Sequence, residues 1–422
     1  MPEQGITIMQ QGERIAVVGA GIVGLCTAYA LKQAGYAVTL FDPNPPGSQC
    51  SSGNAGALSS RSVVPLATPG ILKQAFSMLL DSRSPLHVPA YYWLRVAPWM
   101  SRFVAQSKPE RVRTIAAAMA DLLRGSVETH TQIAAELGAG DLIRRSGQIH
   151  LYPDEAYYAK DQASWALKQE HGLHLEKISR PTIEAMEPDI GPGYRVGVFL
   201  PTEGWVANPL RYAQTLATRL ADMQATFVEA AIRSLQADAS GWTLSDGTRR
   251  WQAERVVICA GAWSAPLLAQ LGWKVPLESQ RGYHLDLAAP NLALAHQVVL
   301  ADRKLFMTPM ETGLRLAGTV EFGGLTRKPS MKRALLLGEH AHAGLPELDV
   351  ANPEIWMGHR PCLPDSMPVL GPVPDSPGLW CAFGHGHLGL TGSANTGRLI
   401  AGAMAGRPDD QRTLVPFSID RF

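Results

Sequence analysis

The sequence predicts an α/β fold in which a parallel-sheet domain is interrupted by an inserted α+β domain carrying an antiparallel sheet. Three observations predict it. The chain opens on a strand, a glycine turn, a helix and a second strand; its middle mixes helical and alternating patterns; and it later returns to short apolar strands that end in small residues. A length of 422 residues also exceeds what one hydrophobic core usually serves, so two domains are expected.

The opening unit is the most informative stretch. Arg14 to Val18 is a short buried strand, Gly19-Ala20-Gly21-Ile22-Val23-Gly24 a turn, and the chain runs on as a helix through Leu31. Gly19 permits the tight turn, Gly21 lets backbone approach a pyrophosphate, and Gly24 lets the helix pack on the strand. The helix N-terminus, with Ile22 and Val23, offers N–H groups and the positive end of its dipole to phosphates. A second strand, Ala37 to Phe41, ends at Asp42, about 20 residues past the turn, where an acid binds a ribose 2′-OH. The whole unit reads as a Rossmann-like dinucleotide site, and an acid there argues against a 2′-phosphate.

Charged residues make up 18% and hydrophobic ones 46%, which suits a globular chain and excludes disordered and coiled-coil classes. The net charge of +1 creates no field to draw nucleic acid. Cys26, Cys50, Cys259, Cys362 and Cys381 form no C-x-x-C pair, so neither a disulfide framework nor a zinc site is favoured and a reducing cytoplasm fits. Ile15 to Leu31 is apolar, but its glycines, Thr27 and Tyr29 argue against a membrane span or signal core.

Pro43 to Gly47 cannot continue a strand, and the small polar loop from Cys50 to Ala57 suits close contact with a large flat ligand. Pro69 to Gln106 is apolar and aromatic and fits two short helices. Arg95 and Arg102 flank Tyr91, Trp93, Leu94 and Trp99 there, a pattern found in core helices and also in helices lying on a membrane. One long helix is expected from about Pro109 to Glu136. The middle then predicts a strand at 147–152, a helix capped by Asp154 and running towards His171, a short helix before Pro188, a strand at 194–200 and a helix from Asn208-Pro209 to about Met223.

Trp251 to Ile258 reads as one strand returning to the first domain, ending in Ala260-Gly261-Ala262-Trp263-Ser264. Further strands follow at 280–287, 306–309 and 314–319, then a helix over 328–344. A strand at 379–383 leads into Gly384-His385-Gly386-His387-Leu388-Gly389 and a last helix to about Met404. Glycines opening a helix again make an anion-friendly N-terminus. His385 and His387 lack a carboxylate at metal spacing, so no metal site is expected.

Together these pieces resemble the FAD-dependent D-amino-acid oxidase superfamily, and within it the D-amino-acid dehydrogenase branch. The resemblance covers nearly the whole chain. It rests on the 19–24 turn with Asp42, on Ser51-Ser52-Gly53-Asn54-Ala55-Gly56, on 260–264, on Arg360-Pro361 with Pro364-Asp365-Ser366-Met367-Pro368, and on the 384–389 loop. Ser366 departs from the glycine usual after that aspartate. The resemblance implies an FAD domain from 1–60, 202–280 and 355–422 and a substrate domain from 61–201 and 281–354. It implies noncovalent FAD, because Cys362 sits at the wrong offset for a flavin tether.

The same resemblance assigns roles. Cofactor contacts fall on Gly19, Gly21, Ile22, Val23, Gly24, Asp42, Ser51, Ser52, Asn54, Ala55, Gly56, Val228, Ala260, Gly261, Trp263, Gly386, His387, Leu388 and Gly389. Arg360 would pair with a substrate carboxylate, Tyr283 would be a second carboxylate contact, and His385 would lie near the ring. The implied reaction is oxidative deamination of D-amino acids to 2-oxo acids, with electrons passed to a quinone or another acceptor. An alternative is oxidation of a secondary amine such as D-proline, D-hydroxyproline, sarcosine or iminodiacetate, as one subunit of a complex if a partner is needed. An NAD-linked dehydrogenase is disfavoured by the C-terminal loop and the returning strand. The expected location is cytoplasmic, with peripheral contact on the inner face of the membrane left open by the 91–104 stretch.

Overall fold

A computed structural model of the chain describes residues 12–71 and 84–422. Its first layer is a six-stranded sheet in the order Thr226–Glu229, Ala37–Asp42, Arg14–Val18, Arg255–Ile258, Leu379–Phe383, Val369–Pro372. The first five strands run parallel and the last pairs antiparallel. Parallel strands are buried on both faces, which is why Ile15, Val17, Val256 and Ile258 are all apolar. On one face the helices Ile22–Gln33 and Gly389–Met404 cross so closely that a methyl on Gly397 would overlap the Cys26 carbonyl oxygen.

The second layer is a mostly antiparallel nine-stranded sheet, built around Glu354–Cys362, Glu278–Leu287 and Gly313–Phe322 and extended by Gln148–Tyr152 and Val196–Leu200. One face packs Leu285, Met307 and Leu316 under Leu337 of the helix Met331–Ala341. The other face turns towards the carboxyl ends of the parallel strands.

Several expectations need correction. The helix expected over 109–136 is two helices, Pro109–Leu123 and Ser126–Glu136. Gly125 adopts a left-handed φ of 67°, and Asn395 Nδ2 takes up the carbonyls of Leu122 and Arg124 at 2.8 and 2.9 Å, so a distant side chain satisfies the break. The strand expected at 251–258 is also two. Arg250–Ala253 joins a small antiparallel sheet and Arg255–Ile258 the parallel one, with Glu254 between them bonding the Arg14 carbonyl at 3.0 Å.

Domain membership shifts as well. Ile115, Met119, Leu122 and Val127 pack in the same core as the opening helix, so the 109–136 hairpin does not belong with the antiparallel sheet. Glu354–Cys362, expected in the cofactor domain, is an edge strand of the antiparallel sheet, paired along Glu278–Asp286. Of the two helices expected between 69 and 106, Trp93–Ala105 is present. The other falls largely on 72–83, outside the described residues.

Candidate active site

Between the carboxyl ends of the parallel strands and the free face of the antiparallel sheet lies a cavity of about 1810 Å3. Ligands of open α/β sheets bind at this end of the strands. The volume is larger than the roughly 300–1,000 Å3 of a drug-sized pocket and has room for a long ligand with a small one beside it.

One end of the cavity is built by the opening unit. Gly19 has φ of 112°, and a methyl there would overlap the Cys259 carbonyl oxygen; a methyl on Gly24 would overlap the Gly19 carbonyl oxygen. Strand and helix therefore meet backbone on backbone. Gly19, Gly21, Ile22, Val23, Asp42, Ser51, Asn54 and Ala55 line the cavity. Ser51 Oγ accepts the Ile22 N–H at 2.9 Å, at the start of the helix. The Asp42 carboxylate accepts from Ala20 N and Asn44 N, each at 2.9 Å, so the acid is fixed beside the turn.

Four expected contacts stand elsewhere. Gly24 acts behind the wall, as its packing requires. Ser52 Oγ is spent on the Gln49 carbonyl at 2.8 Å. Gly56, at φ of 78°, fits against the Val206 carbonyl, 2.6 Å from where a methyl would sit. Val228 lies in the edge strand opposite Phe41, and the cavity is lined instead by Ala230 to Arg233 just beyond it.

The Cys50–Ala57 loop is held by side chains that its own sequence does not announce. His284 Nδ1 meets the Gly53 carbonyl at 3.0 Å, and Arg315 donates to the carbonyls of Ser52 and Asn54 at 3.0 and 2.7 Å. Thr308 Oγ1 donates to the Ala55 carbonyl at 2.8 Å. Arg315 is itself gripped by Asp286 through two 2.7 Å bonds. These residues sit on the antiparallel sheet, so one layer fixes the loop that the other layer presents. No sequence signal marks them, because the pairing spans more than 200 residues.

Ala260 and Gly261 line the cavity beside the glycine turn, Trp263 meets the His359 ring edge-on at 5.5 Å, and Gly386, His387, Leu388, Gly389 and Arg360 line it as well. Arg360 Nη1 donates to the Thr319 carbonyl at 2.9 Å, and no described carboxylate pairs with it. Burial lowers its pKa, and the neighbouring Cys50 and Cys362 are neutral thiols, both raised by burial. A guanidinium so held is short of an anion. Gly282 makes room for it, since a methyl there would overlap the guanidinium. Trp356 forms part of the same wall, stacked on His284 with ring centroids 4.9 Å apart.

Tyr283 and His385 both line the cavity, but the polar atoms expected to act there are engaged by other residues. Tyr283 follows Gly282 in the strand, so the pleat sends its side chain to the other face of the sheet, away from Arg360. Its hydroxyl donates to Glu321 Oε2 at 2.5 Å and accepts from Ser330 N at 2.9 Å, and it packs in the core under Leu337. His385 bonds Thr396 Oγ1 through Nε2 at 2.9 Å, and burial pushes its pKa down to about 3. It braces the loop on the last helix as a neutral ring. Ser366, standing where a glycine was expected, takes a left-handed φ of 62° and accepts the Leu66 N–H on Oγ at 3.2 Å.

The glycine turn, the fixed acid and the size of the cavity fit a dinucleotide cofactor. The family model described as "DAO: FAD dependent oxidoreductase" matches residues 14–403. The chain belongs to this family. It is an FAD-dependent oxidoreductase. Among curated relatives of this DAO-family chain, a D-amino-acid oxidase from Bradyrhizobium diazoefficiens is 36% identical, with 98% of this chain and 100% of the relative covered. A D-amino acid dehydrogenase from Paramagnetospirillum magneticum is 31% identical over 97% of this chain and 99% of the relative. Among solved structures, glycine oxidase from Geobacillus kaustophilus superposes with a TM-score of 0.75 at 24% identity, covering 97% of this chain and 99% of its own. At that identity the likeness concerns the fold.

Proposed function

We propose that this DAO-family enzyme oxidises the C–N bond of primary D-amino acids. Loss of the α-hydrogen with its electron pair, and of a proton from nitrogen, leaves a 2-imino acid that water hydrolyses to a 2-oxo acid and ammonia. Arg360 is the observation that carries this reading. A guanidinium turned to the cavity without an ion pair suits a carboxylate, which it can grip through two parallel hydrogen bonds. The D configuration and the choice of amino acids as a class come from the two relatives named above. The electron acceptor, a quinone or another oxidant, completes the proposal.

Bound FAD supplies the two-electron oxidation, and the chain supplies position and charge. Gly19, Gly21, Ile22, Val23 and Asp42 would hold the nucleotide half, with Ser51, Asn54 and Ala55 alongside. The main-chain N–H groups of His387 and Gly389 would stabilise negative charge that accumulates on reduction, whereas that of Leu388 is donated to the His385 carbonyl at 2.9 Å. Arg360 would orient the substrate so that its α-hydrogen faces the FAD, which in turn passes the electrons to the final acceptor. His385 is bonded away as a neutral ring and Tyr283 is locked on Glu321, so neither serves as base and the amine reacts after entering unprotonated. Desolvation raises the thiols of half-buried Cys50 and buried Cys362, and protonated thiols accord with FAD held without a covalent link.

Anaerobic bleaching of the flavin absorbance tests the proposal. Primary D-amino acids such as D-alanine and D-methionine are expected to bleach it, and their L-enantiomers to leave it oxidised. Bleaching by proline-like or N-substituted glycines alone would move the substrate to secondary amines.

We also propose a peripheral membrane contact, through which a lipid-soluble acceptor would reach the enzyme. No helix among the described residues is long and apolar enough to cross a membrane. The Trp93–Ala105 helix, however, leaves Leu94 92% exposed, with Tyr91 and Trp93 beside it and Arg95 and Arg102 on the same element. Such a surface suits the headgroup boundary of an anionic leaflet. Co-sedimentation with phosphatidylserine-containing vesicles is expected, and Leu94→Glu should reduce it several-fold. A wild-type protein left wholly in the supernatant would end the proposal.

A further inference from the structure

We propose that the preferred substrates are acidic D-amino acids, whose side-chain carboxylate pairs with Lys168 while Arg360 holds the α-carboxylate. The inference rests on the amino-acid function proposed above and deepens it.

Lys168 lies near the end of the helix Glu155–Glu170 and lines the same cavity as Arg360. Its Nζ stands 4.3 Å from the centroid of the Trp165 ring, and that ring is fixed by a 2.9 Å bond from Nε1 to the Tyr152 hydroxyl. This cation–π contact holds the ammonium without giving its three donors an acceptor. The acids nearby are already engaged. Asp161 accepts from Tyr152 at 3.1 Å and faces Lys304 at 3.8 Å. Glu203 accepts from Ser60 N and Oγ at 2.6 and 3.0 Å, and Glu170 pairs with Arg113 at 3.2 Å. Lys168 therefore makes no ion pair with a described residue.

Asp161 and Glu203 lie near enough to favour the ammonium but neither forms an ion pair with it, so like Arg360 it has no direct carboxylate partner among the described residues. Burial pulls its pKa down to about 8, a penalty that an incoming carboxylate relieves. The two cations also belong to one space. His387, on the cavity wall, is kept neutral first by desolvation and then by the charges of Arg360 and Lys168 together. A substrate with one carboxylate satisfies one of these cations. A dicarboxylic amino acid satisfies both, and the neutral His387 near them adds no competing charge.

D-glutamate and D-glutamine differ in one charge at nearly equal shape, so their comparison isolates the second carboxylate. For the FAD-loaded wild type, kcat/KM from anaerobic flavin reduction is expected to favour D-glutamate by about tenfold or more, the range of a hydrogen bond to a charged group. Lys168→Met should bring the ratio near one, and Lys168→Arg should restore most of it. Equal efficiencies in the wild type, or a preference that survives Lys168→Met, would overturn the proposal. A second readout does not need turnover. Glutarate should perturb the bound flavin's spectrum at lower concentration than butyrate, and Lys168→Met should remove that advantage. If no D-amino acid reduces the flavin, the amino-acid function fails. Glutarate binding that depends on Lys168 would then still support the paired-cation site, and binding indifferent to Lys168 would reject it.

Discussion

Arg360→Leu is expected to lower kcat/KM for amino acids by roughly 30- to 5,000-fold, corresponding to about 2–5 kcal/mol for truncating one partner of a buried charge pair. The flavin should stay bound, because Arg360 touches the Thr319 carbonyl and the Gly282 backbone region and none of the glycine-turn residues. The loss should fall on KM and kcat together. Leucine removes both the anion partner and the orientation that sets the α-hydrogen towards the FAD. Gly282→Ala is the companion experiment. It keeps the arginine and adds a methyl that overlaps its guanidinium, so the group must move off its carboxylate-facing position. An intermediate loss in yellow, folded protein is expected. Stopped-flow reduction and flavin content measured on the same preparations decide it, and full activity in Arg360→Leu would show that the carboxylate is held elsewhere.

Gly24→Ala is expected to yield colourless protein with a lowered Tm. The added methyl meets the Gly19 carbonyl oxygen, which is backbone and cannot rotate away. Gly19 in turn packs on the Cys259 carbonyl, so relief on one side transmits strain to the returning strand. Overpacking of this kind typically costs about 1–3 kcal/mol, and here the displaced atoms are the turn that would receive the phosphates. Gly140→Ala is the control. Nothing lies within 4 Å of its added methyl and its φ is ordinary, so flavin content and Tm should match the wild type. Stoichiometric flavin in purified Gly24→Ala would refute the contact argument.

Much of this fold is legible because its signals are local. The 14–42 unit, the Asp154 cap that accepts from Tyr157 N, and the Asn208-Pro209 helix start all lie where their side chains predict. Misreadings occur where a distant partner decides. Asn395 makes the break at Gly125 affordable in hydrogen bonds, and Glu254 parts two strands by bonding Arg14. Tyr283 and His385 both line the cavity, but Glu321 and Thr396 engage their polar atoms, which position along the chain does not foretell.

The residue pattern by itself determined the nucleotide-binding half: strand, glycines, helix and terminal acid lie within one stretch, and their chemistry depends on spacing along the backbone. Arg360 was also legible as a residue, through its motif. Tertiary structure alone decided what surrounds it: that Gly282 clears its space, that the Cys50–Ala57 loop is pinned by His284, Thr308 and Arg315, and that Lys168 shares its cavity. Side-chain direction and counter-charge depend on which strands pair and in what register, and pairing across hundreds of residues leaves no mark in the local sequence.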